Sequence, residues 1–340
     1  MQLSNCFRRN RWKKAGLRLC GGLCRMGVLA WMAAGATAHA GALNIAVAKT
    51  PLSLPIYIAS QKGFFADEGL DVTLTECSGG HRCLQLVLEG QADVSTSSEL
   101  PIVFNSFERT DFAVIATMVT TSQDVKLLAH TRSRIAKPMD LAGKRVGAVA
   151  RTSSQYFLEL YLLTIGLNPQ NLTVVNMQPE EMSTALQNGQ IDAVALWEPY
   201  AYSAIKALGR NAVVLPPNRA YILTFNLVAH RNVVKQRDGD LVRLLRAVER
   251  AERFIRESPV EAKWVLRNAL KLDQGFVDWV WAGATYRLGL DQSLISTMEG
   301  EARWARREGH VTGAATPNFL GLMHMAPLRT VNPSAVGIHP

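Results

Sequence analysis

Hydrophobic and polar positions beyond residue 40 follow the periods of strands and helices in turn. Alternating apolar positions predict strands at Leu43–Ala48, Leu70–Thr75, Ala92–Thr96 and Phe112–Val119. Stretches with helical spacing lie between them and end near Asp67, Gly90 and Glu108. Because strands and helices alternate, this first unit is predicted to form a parallel sheet with helices on both of its faces.

The same order of elements restarts after residue 140. Its predicted strands are Arg145–Val149, Leu172–Asn176 and Ala193–Leu196. The repeat is also visible in the letters, because Gly90-Gln91-Ala92-Asp93 and Gly189-Gln190-Ile191-Asp192 occupy equivalent places. Each motif is followed by a glutamate six residues after its aspartate. We therefore expect two lobes of one design.

The C-terminal part of the chain has the pattern of packed helices. Four amphipathic helices are predicted between Asp240 and Gly309. Arginines that recur every three or four positions beside glutamates predict a solvated helix face in this region. Tryptophans at helical spacing are predicted to pack in the core, with a platform for a ligand as the alternative. They are Trp264, Trp279, Trp281 and Trp304.

The charge of the chain is concentrated at its start. The 340 residues carry a formal charge of +9, and seven of the 37 basic residues lie in residues 1–40, which contain no Asp or Glu. The rest of the chain holds 30 basic against 28 acidic residues. A net charge this small removes the main support for nucleic-acid binding through a basic surface, so no nucleic-acid partner is predicted.

Residues 1–40 have the order of a secretory signal peptide. A basic stretch through Arg25 precedes the apolar run Met26–Ala36 and the small residues Ala38 and Ala40. The apolar run is about half of the ~20 residues that are needed to span a bilayer. We therefore expect cleavage after Ala40 and a soluble, exported mature chain.

Cys77 and Cys83 are the two cysteines that remain after such a cleavage, and they predict one local disulfide in an oxidising compartment. Together with His81 they form a C-x3-H-x-C motif. A structural zinc site would need a fourth ligand, and none lies nearby in sequence, so we predict no metal and no other cofactor. A thiolate nucleophile beside His81 and Arg82 is a third interpretation, which a disulfide would abolish.

Candidate ligand contacts follow from the predicted topology. In open parallel sheets, ligands bind beyond the carboxyl ends of the strands, where loops lead into helix N-termini. One such loop contains three hydroxyls in succession, at Thr152, Ser153 and Ser154. Hydroxyls and free N–H groups at a helix start can hold a sulfonate, carboxylate or phosphate. Plain N-capping, which needs one hydroxyl, is the alternative.

Charged and aromatic residues in these loops indicate a pocket of mixed sign. Arg151 either adds positive charge to the hydroxyl loop or is solvated. Glu198 adjoins Trp197 and suits a cationic or NH-bearing group, and Glu99 occupies the matching place in the first unit. A zwitterion, an amino-substituted heterocycle or an organic acid with donor groups therefore fits better than nitrate. The predicted ligand-binding residues are Pro51, Leu52, Ser53, Gly80, His81, Ser97, Ser98, Glu99, Thr121, Arg151, Thr152, Ser153, Ser154, Trp197, Glu198 and Asn226.

Six motifs in order resemble the periplasmic substrate-binding proteins of ABC transporters for nitrate, alkanesulfonates, taurine and thiamine-pyrimidine precursors. The resemblance runs from about Leu43 to at least Tyr202. The motifs are Leu54-Pro55-Ile56-Tyr57-Ile58-Ala59, Lys62-Gly63-Phe64-Phe65, Glu68-Gly69-Leu70-Asp71-Val72, Gly90-Gln91-Ala92-Asp93, Asp140-Leu141-Ala142-Gly143-Lys144 and Trp197-Glu198-Pro199-Tyr200.

The resemblance implies an α/β fold of the two-lobed periplasmic binding protein type (type II). Each lobe would be a mostly parallel sheet flanked by helices, with further helices at the C-terminus. Lobe 1 would comprise residues 41–128 plus 229–340, and lobe 2 residues 129–228, with the ligand cleft between them. The crossovers between the lobes would fall near Lys126–Thr131 and Leu223–Ala229.

The same resemblance implies a function without bond chemistry. A monomer would capture a small polar organic solute, such as a sulfonate or taurine-like compound, a pyrimidine or an organic acid. Closure of the lobes would hold the solute until it is delivered to an ABC permease in the inner membrane. Two alternatives remain, namely an enzyme of the desulfinase or hydrolase type on the same scaffold and a binding protein that feeds a sensor.

Overall fold

The computed structural model describes residues 41–313 and 315–338, so the predicted signal peptide lies outside the described residues. In chain order the strands are β1 (Leu43–Ala48), β2 (Val72–Cys77), β3 (Val94–Ser98), β4 (Phe112–Thr121), β5 (Lys126–His130), β6 (Arg145–Ala148), β7 (Thr173–Asn176), β8 (Ala193–Leu196), β9 (Ala212–Val214), β10 (Leu223–His230), β11 (Ala284–Asp291) and β12 (Val336–Gly337). The α-helices are α1 (Leu54–Gln61), α2 (Phe64–Asp67), α3 (Gly80–Leu88), α4 (Glu99–Ser106), α5 (Ser153–Thr164), α6 (Pro179–Asn188), α7 (Tyr200–Leu208), α8 (Arg231–Gln236), α9 (Asp238–Glu257), α10 (Pro259–Leu270), α11 (Gln274–Val280), α12 (Gln292–Arg307) and α13 (Ala326–Val331).

The first sheet has the strand order β12-β11-β4-β10-β3-β1-β2. Strand β1 pairs in parallel with β2 and β3, with Leu43 opposite Val72 and Ile45 opposite Val94. Helix α3 connects β2 to β3, as the alternating pattern predicts. The parallel strands of the βα units therefore end at a common edge of the sheet, where helix N-termini begin.

The second sheet has the strand order β7-β6-β8-β5-β9, and β6 pairs in parallel with β7 and β8. Both sheets also contain antiparallel pairs, so they are mixed rather than mostly parallel. One antiparallel pair joins β4 to β11, and the others involve β5 and β10, which belong to neither βα repeat. Each enters its sheet directly after the chain has left the other sheet, and each runs antiparallel to both of its neighbours.

The chain passes between the sheets twice, over residues 122–125 and residues 215–222. These connections lie just before the crossovers that the sequence predicts near Lys126–Thr131 and Leu223–Ala229. The predicted ranges instead form β5 and β10, because their apolar residues pair with neighbouring strands and are buried in the sheets.

The region after residue 240 contains the four predicted helices, and also strand β11, which the sequence analysis missed. β11 pairs antiparallel with β4, with Ala284 opposite Thr121. The sequence of β11 has a short alternating pattern. Because β11 directly follows a tryptophan-rich helix, this pattern was not recognised as a separate strand. Trp304 is buried as predicted, but the predictions that Trp264 and Trp279 pack in the core are wrong, because their exposed fractions are 53% and 42%.

Cys77 at the end of β2 and Cys83 in α3 are joined by a disulfide, with 5.6 Å between their Cα atoms. Cys83 is fully buried. The bond therefore ties the end of β2 to the first turn of α3. Across the ranges 41–313 and 315–338, no cluster of three or more His, Cys, Asp or Glu residues is arranged to hold a metal ion. No helix in those ranges has the length and apolar character required to cross a membrane.

Replacing both cysteines with serine should lower the free energy of unfolding by about 2 kcal/mol, because the unfolded chain loses a short covalent loop. Urea denaturation of the parent protein and the double variant measures this difference. Alkylation of the native, unreduced protein followed by peptide mapping is the direct check on the bond. Labelling at both Cys77 and Cys83 would contradict it.

Candidate ligand-binding cleft

A cleft with about 370 Å³ of atom-free space lies where loops from both sheets meet. Its lining residues are Thr50, Leu52, Gly79, Gly80, His81, Ser98, Pro101, Asp124, Thr152, Ser153, Trp197, Leu223 and Phe225. Seven of the predicted ligand-binding residues are brought together here, namely Leu52, Gly80, His81, Ser98, Thr152, Ser153 and Trp197. We call this cavity the main cleft.

Three helices begin at the wall of the main cleft. Helix α3 begins at Gly80, α4 follows Ser98, and α5 begins at Ser153. Backbone N–H groups of a first helical turn lack partners within the helix, and the helix dipole is positive there, so these starts favour an anionic group. A side chain at Gly80 is excluded, because its Cβ would lie 2.8 Å from the Cα of Ser97. Glycine thus lets the start of α3 approach β3.

The three hydroxyls at the start of α5 have three different roles. The Thr152 hydroxyl caps the helix by accepting from the Ser154 N–H at 3.2 Å. The Ser154 hydroxyl is fully buried, donates to the Ala195 carbonyl at 2.7 Å and accepts from the Val149 N–H at 3.0 Å. Ser153 lines the main cleft, and within the described chain its hydroxyl has no intramolecular hydrogen bond. Ser153 is therefore the hydroxyl available to a ligand.

His81 and Trp197 form a polar and an apolar part of the wall. Their rings meet edge to face with centroids 5.8 Å apart. Burial, together with the nearby positive charge of Arg82, lowers the pKa of His81 to about 4. The imidazole is therefore neutral near pH 7 and offers hydrogen bonds rather than charge.

A second cavity of about 300 Å³ adjoins the main cleft and shares Leu52 and Asp124 with it. We call it the side cavity. It contains three further predicted residues, Pro51, Thr121 and Glu198. Its other lining residues are Gln123, Trp279, Val280, Gly283 and Ala284.

Glu198 is almost fully buried, and protein groups already bind its carboxylate. Trp279 Nε1 donates to it at 2.5 Å, the Tyr202 N–H donates at 3.0 Å, and Lys126 Nζ lies 3.8 Å away. Burial raises the pKa of Glu198, and Lys126 and these donors oppose the rise. The structure therefore gives Glu198 internal partners for the charge that the sequence analysis assigned to a ligand.

Glu99 does not line either cavity. Its carboxylate accepts hydrogen bonds from the Tyr221 hydroxyl, the Thr224 N–H at 2.8 Å and the Thr224 hydroxyl at 2.9 Å. Burial raises the pKa of Glu99 and also that of Glu301, which lies beside it. The Glu99 side chain is therefore bonded in the protein interior. Its position in the repeat had predicted a place in the cleft.

Four other predicted residues are also fully buried outside the cavities. Ser154 is one of them, for the reason given above. Asn226 is fully buried and accepts from the Thr117 hydroxyl at 2.7 Å, and the Ser97 hydroxyl donates to the Ser98 carbonyl. Ser53 is fully buried as well.

Arg151 lies at the exposed rim rather than in the cleft. Its guanidinium is 4.8 Å from the centroid of the Phe104 ring and 3.4 Å from the carboxylate of Glu108. Arg151 also has a positive φ of 59°. The side chain therefore joins the loop before α5 to α4.

The sequence analysis missed several cleft residues, above all Asp124, Phe225 and Trp279. Asp124 follows β4, so the rule on strand ends could have found it, but Thr121 was the residue that the sequence analysis selected there. Phe225 lies inside a strand, and Trp279 was assigned to helix packing. No local sequence signal distinguishes these two from core residues.

These features define a class, a two-sheet α/β protein with a cleft at the strand ends. The family described as NMT1/THI5 like matches residues 50–262, and the chain belongs to this family. It is 28% identical over 231 residues to a putative aliphatic sulfonates-binding protein of Bacillus subtilis (strain 168), covering 66% of this chain and 69% of that protein. It is 26% identical over 178 residues to the taurine-binding periplasmic protein of Escherichia coli (strain K12), covering 52% and 54%.

A solved structure has the same fold. The alkanesulfonate-binding protein SsuA from Xanthomonas axonopodis pv. citri bound to MOPS superimposes with a TM-score of 0.71 at 18% sequence identity. The superposition covers 87% of this chain and 98% of that one. The fold class predicted from the sequence and the resemblance to this group of binding proteins are both confirmed.

Two adjacent serines should respond differently to alanine. Ser154→Ala removes two buried hydrogen bonds and leaves the Val149 N–H without a partner, so the free energy of unfolding should fall by about 1–3 kcal/mol. Ser153→Ala removes a hydroxyl without an intramolecular bond and should change it by less than about 0.5 kcal/mol. Urea denaturation measures both, and equal losses would contradict the division of roles.

Proposed function

We propose that this protein is the solute-binding component of an ABC importer and captures a small polar organic solute that carries an anionic group. The convergence of three helix N-termini on one cleft is the observation that carries the proposal. Those N-termini and the Ser153 hydroxyl provide fixed hydrogen-bond donors for an anion without a positively charged side chain. The names of the sulfonate-binding and taurine-binding relatives support an anion of the sulfonate type.

Closure of two lobes is the proposed mechanism. The first sheet would be the core of lobe 1, residues 41–128 plus 229–340, and the second sheet the core of lobe 2, residues 129–228. The strands suggest slightly earlier boundaries, near the connections 122–125 and 215–222. Arg82 of α3 donates to Gln178 at 2.7 Å, and Arg151 contacts Glu108, so side chains meet across the cleft rim. Opening would break these exposed contacts and admit the solute.

The proposed location is the periplasm and the proposed partner is an inner-membrane permease, which would select the closed monomer. The name of the Escherichia coli relative supports this location, as does the signal-like order of residues 1–40. The disulfide argues against the thiolate enzyme that the sequence left open, because each sulfur is bonded to the other. We therefore propose binding without turnover.

A thermal-shift screen of aliphatic sulfonates, taurine, nitrate, pyrimidines and aromatic carboxylates should identify a stabilising anion. A ligand at a hundredfold its Kd adds about 2.7 kcal/mol to the free energy of unfolding. Ser153→Ala should then weaken binding of the identified ligand at least about tenfold by calorimetry, since one hydrogen bond to a charged group is lost.

Ser293→Ala is the matched control, because Ser293 is an exposed serine in the first turn of another helix, α12. Its affinity for the same ligand should equal that of the parent protein. Binding that is unaffected by Ser153→Ala would remove the anion site from the start of α5. Conversion of the ligand during prolonged incubation would favour the enzyme.

Export should remove residues 1–40, because their charge asymmetry and terminal small residues direct cleavage after Ala40. The intact mass of the protein recovered from a periplasmic extract should correspond to a chain that begins at Gly41. Exported protein that still begins at Met1 would contradict the prediction.

A further inference from the structure

Asp124 is the carboxylate at the junction of the two cavities. It lies in the short connection between β4 and β5, and it lines both the main cleft and the side cavity. Only 8% of the residue is exposed. A ligand anchored at the helix N-termini of the main cleft therefore shares the same space with this carboxylate.

The protein supplies few partners for this carboxylate. In residues 41–313 and 315–338, no side-chain donor is hydrogen-bonded to Asp124, and its one polar contact is the backbone N–H of Glu198. Lys126 attracts it but has other contacts, because its ammonium donates to the Gln123 carbonyl and lies 3.8 Å from Glu198. A buried carboxylate with so few donors is costly, and a donor group on a ligand would remove that cost.

The charges around Asp124 favour a cation. Glu198 and Glu99 repel its charge, while Lys126 is the cation that opposes them. Tyr286 of β11 also faces it and remains a neutral phenol, because burial and Asp124 raise its pKa. Burial and these carboxylates raise the pKa of Asp124 to about 7. His81 in the same cleft is neutral near that pH, so the positive group that the protein places near Asp124 is Lys126, which already contacts Gln123 and Glu198.

We infer that Asp124 determines the class of solute by binding an ammonium or amidinium group, so that the cleft selects zwitterions whose anionic end lies at the helix N-termini. This inference rests on the proposed function. The two binding positions in the cleft accept opposite charges. Backbone N–H donors cannot hold a cation, and the Asp124 carboxylate repels an anion. A solute with both charges satisfies both sites, whereas a simple sulfonate leaves Asp124 unpaired.

Matched probe pairs test the inference, and each pair differs only in the cationic group. Taurine is compared with isethionate, in which a hydroxyl replaces the ammonium, and 3-aminopropanesulfonate with propanesulfonate. By calorimetry, the parent protein should bind the amino member of at least one pair about tenfold more tightly or better. Asp124→Asn should reduce that preference to near unity by weakening binding of the amino member, while the member without the ammonium should bind at least as tightly as it binds the parent protein.

Two controls separate folding and charge from recognition. Asn is isosteric and removes a costly buried charge, so Asp124→Asn should unfold at the same temperature as the parent protein or at a higher one. Asp71→Asn removes an exposed carboxylate that precedes β2, at the opposite edge of the first sheet, and should keep the full preference.

The pH dependence supplies a second readout. An ammonium binds the ionised carboxylate. The ionised fraction of a group with a pKa near 7 rises from about 3% at pH 5.5 to about 90% at pH 8. The affinity for the amino probe should therefore rise about 30-fold over this range. Binding near pH 7 should release about half a proton, measured in buffers of different ionisation enthalpy. Asp124→Asn should show neither effect. His81 does not titrate in this range, since its pKa is about 4.

The outcomes distinguish failure of the inference from failure of the proposed function. Equal or weaker binding of the amino members overturns the inference while sulfonate binding itself stands. An affinity that falls as the pH rises also overturns it, because a protonated Asp124 would then be donating to an acceptor. If no member of either pair binds, the inference is overturned. If, in addition, no anion of the wider screen binds, the proposed function is overturned as well.

Discussion

The direction of the βα connections is the constraint on which the rest of the structure depends. Because β1, β2 and β3 run parallel, the helices that follow them must begin at one edge of the first sheet, and β6 and β8 impose the same rule on the second. Backbone N–H groups of several helices consequently converge on one space. The protein concentrates positive potential there without placing lysine or arginine in the main cleft, whose lining includes neither residue.

Much of this arrangement could be predicted from the sequence, because hydrophobic periodicity and the repeated Gly-Gln-x-Asp motif report local structure directly. The loops at the strand ends were identified in the same way. Which side chain in a loop faces the ligand could not be predicted, since consecutive residues in a first helical turn point about 100° apart. Ser153 lines the cleft and Ser154 bonds Ala195 for that reason.

Long-range packing accounts for the remaining residues whose positions the sequence analysis did not predict. Glu99 occupies a place equivalent to Glu198 in the repeat, yet Tyr221 and Thr224 bind it, and both lie more than a hundred residues away in sequence. Trp279 reaches Glu198 from a helix beyond the repeats. Such contacts arise from how the C-terminal helices return onto the sheets, and no local pattern encodes them.

The connection that carries Asp124 is only four residues long, from 122 to 125, whereas the returning connection spans residues 215–222. A residue proposed to touch the solute is thus part of the shorter strap between the two sheets. Insertions in that strap would change the reach of the carboxylate and the spacing of the two sheets together. If the lobes close as proposed, a change in the length of this strap would couple solute preference to the closing motion, and the longer connection would offer a second place at which that motion can change.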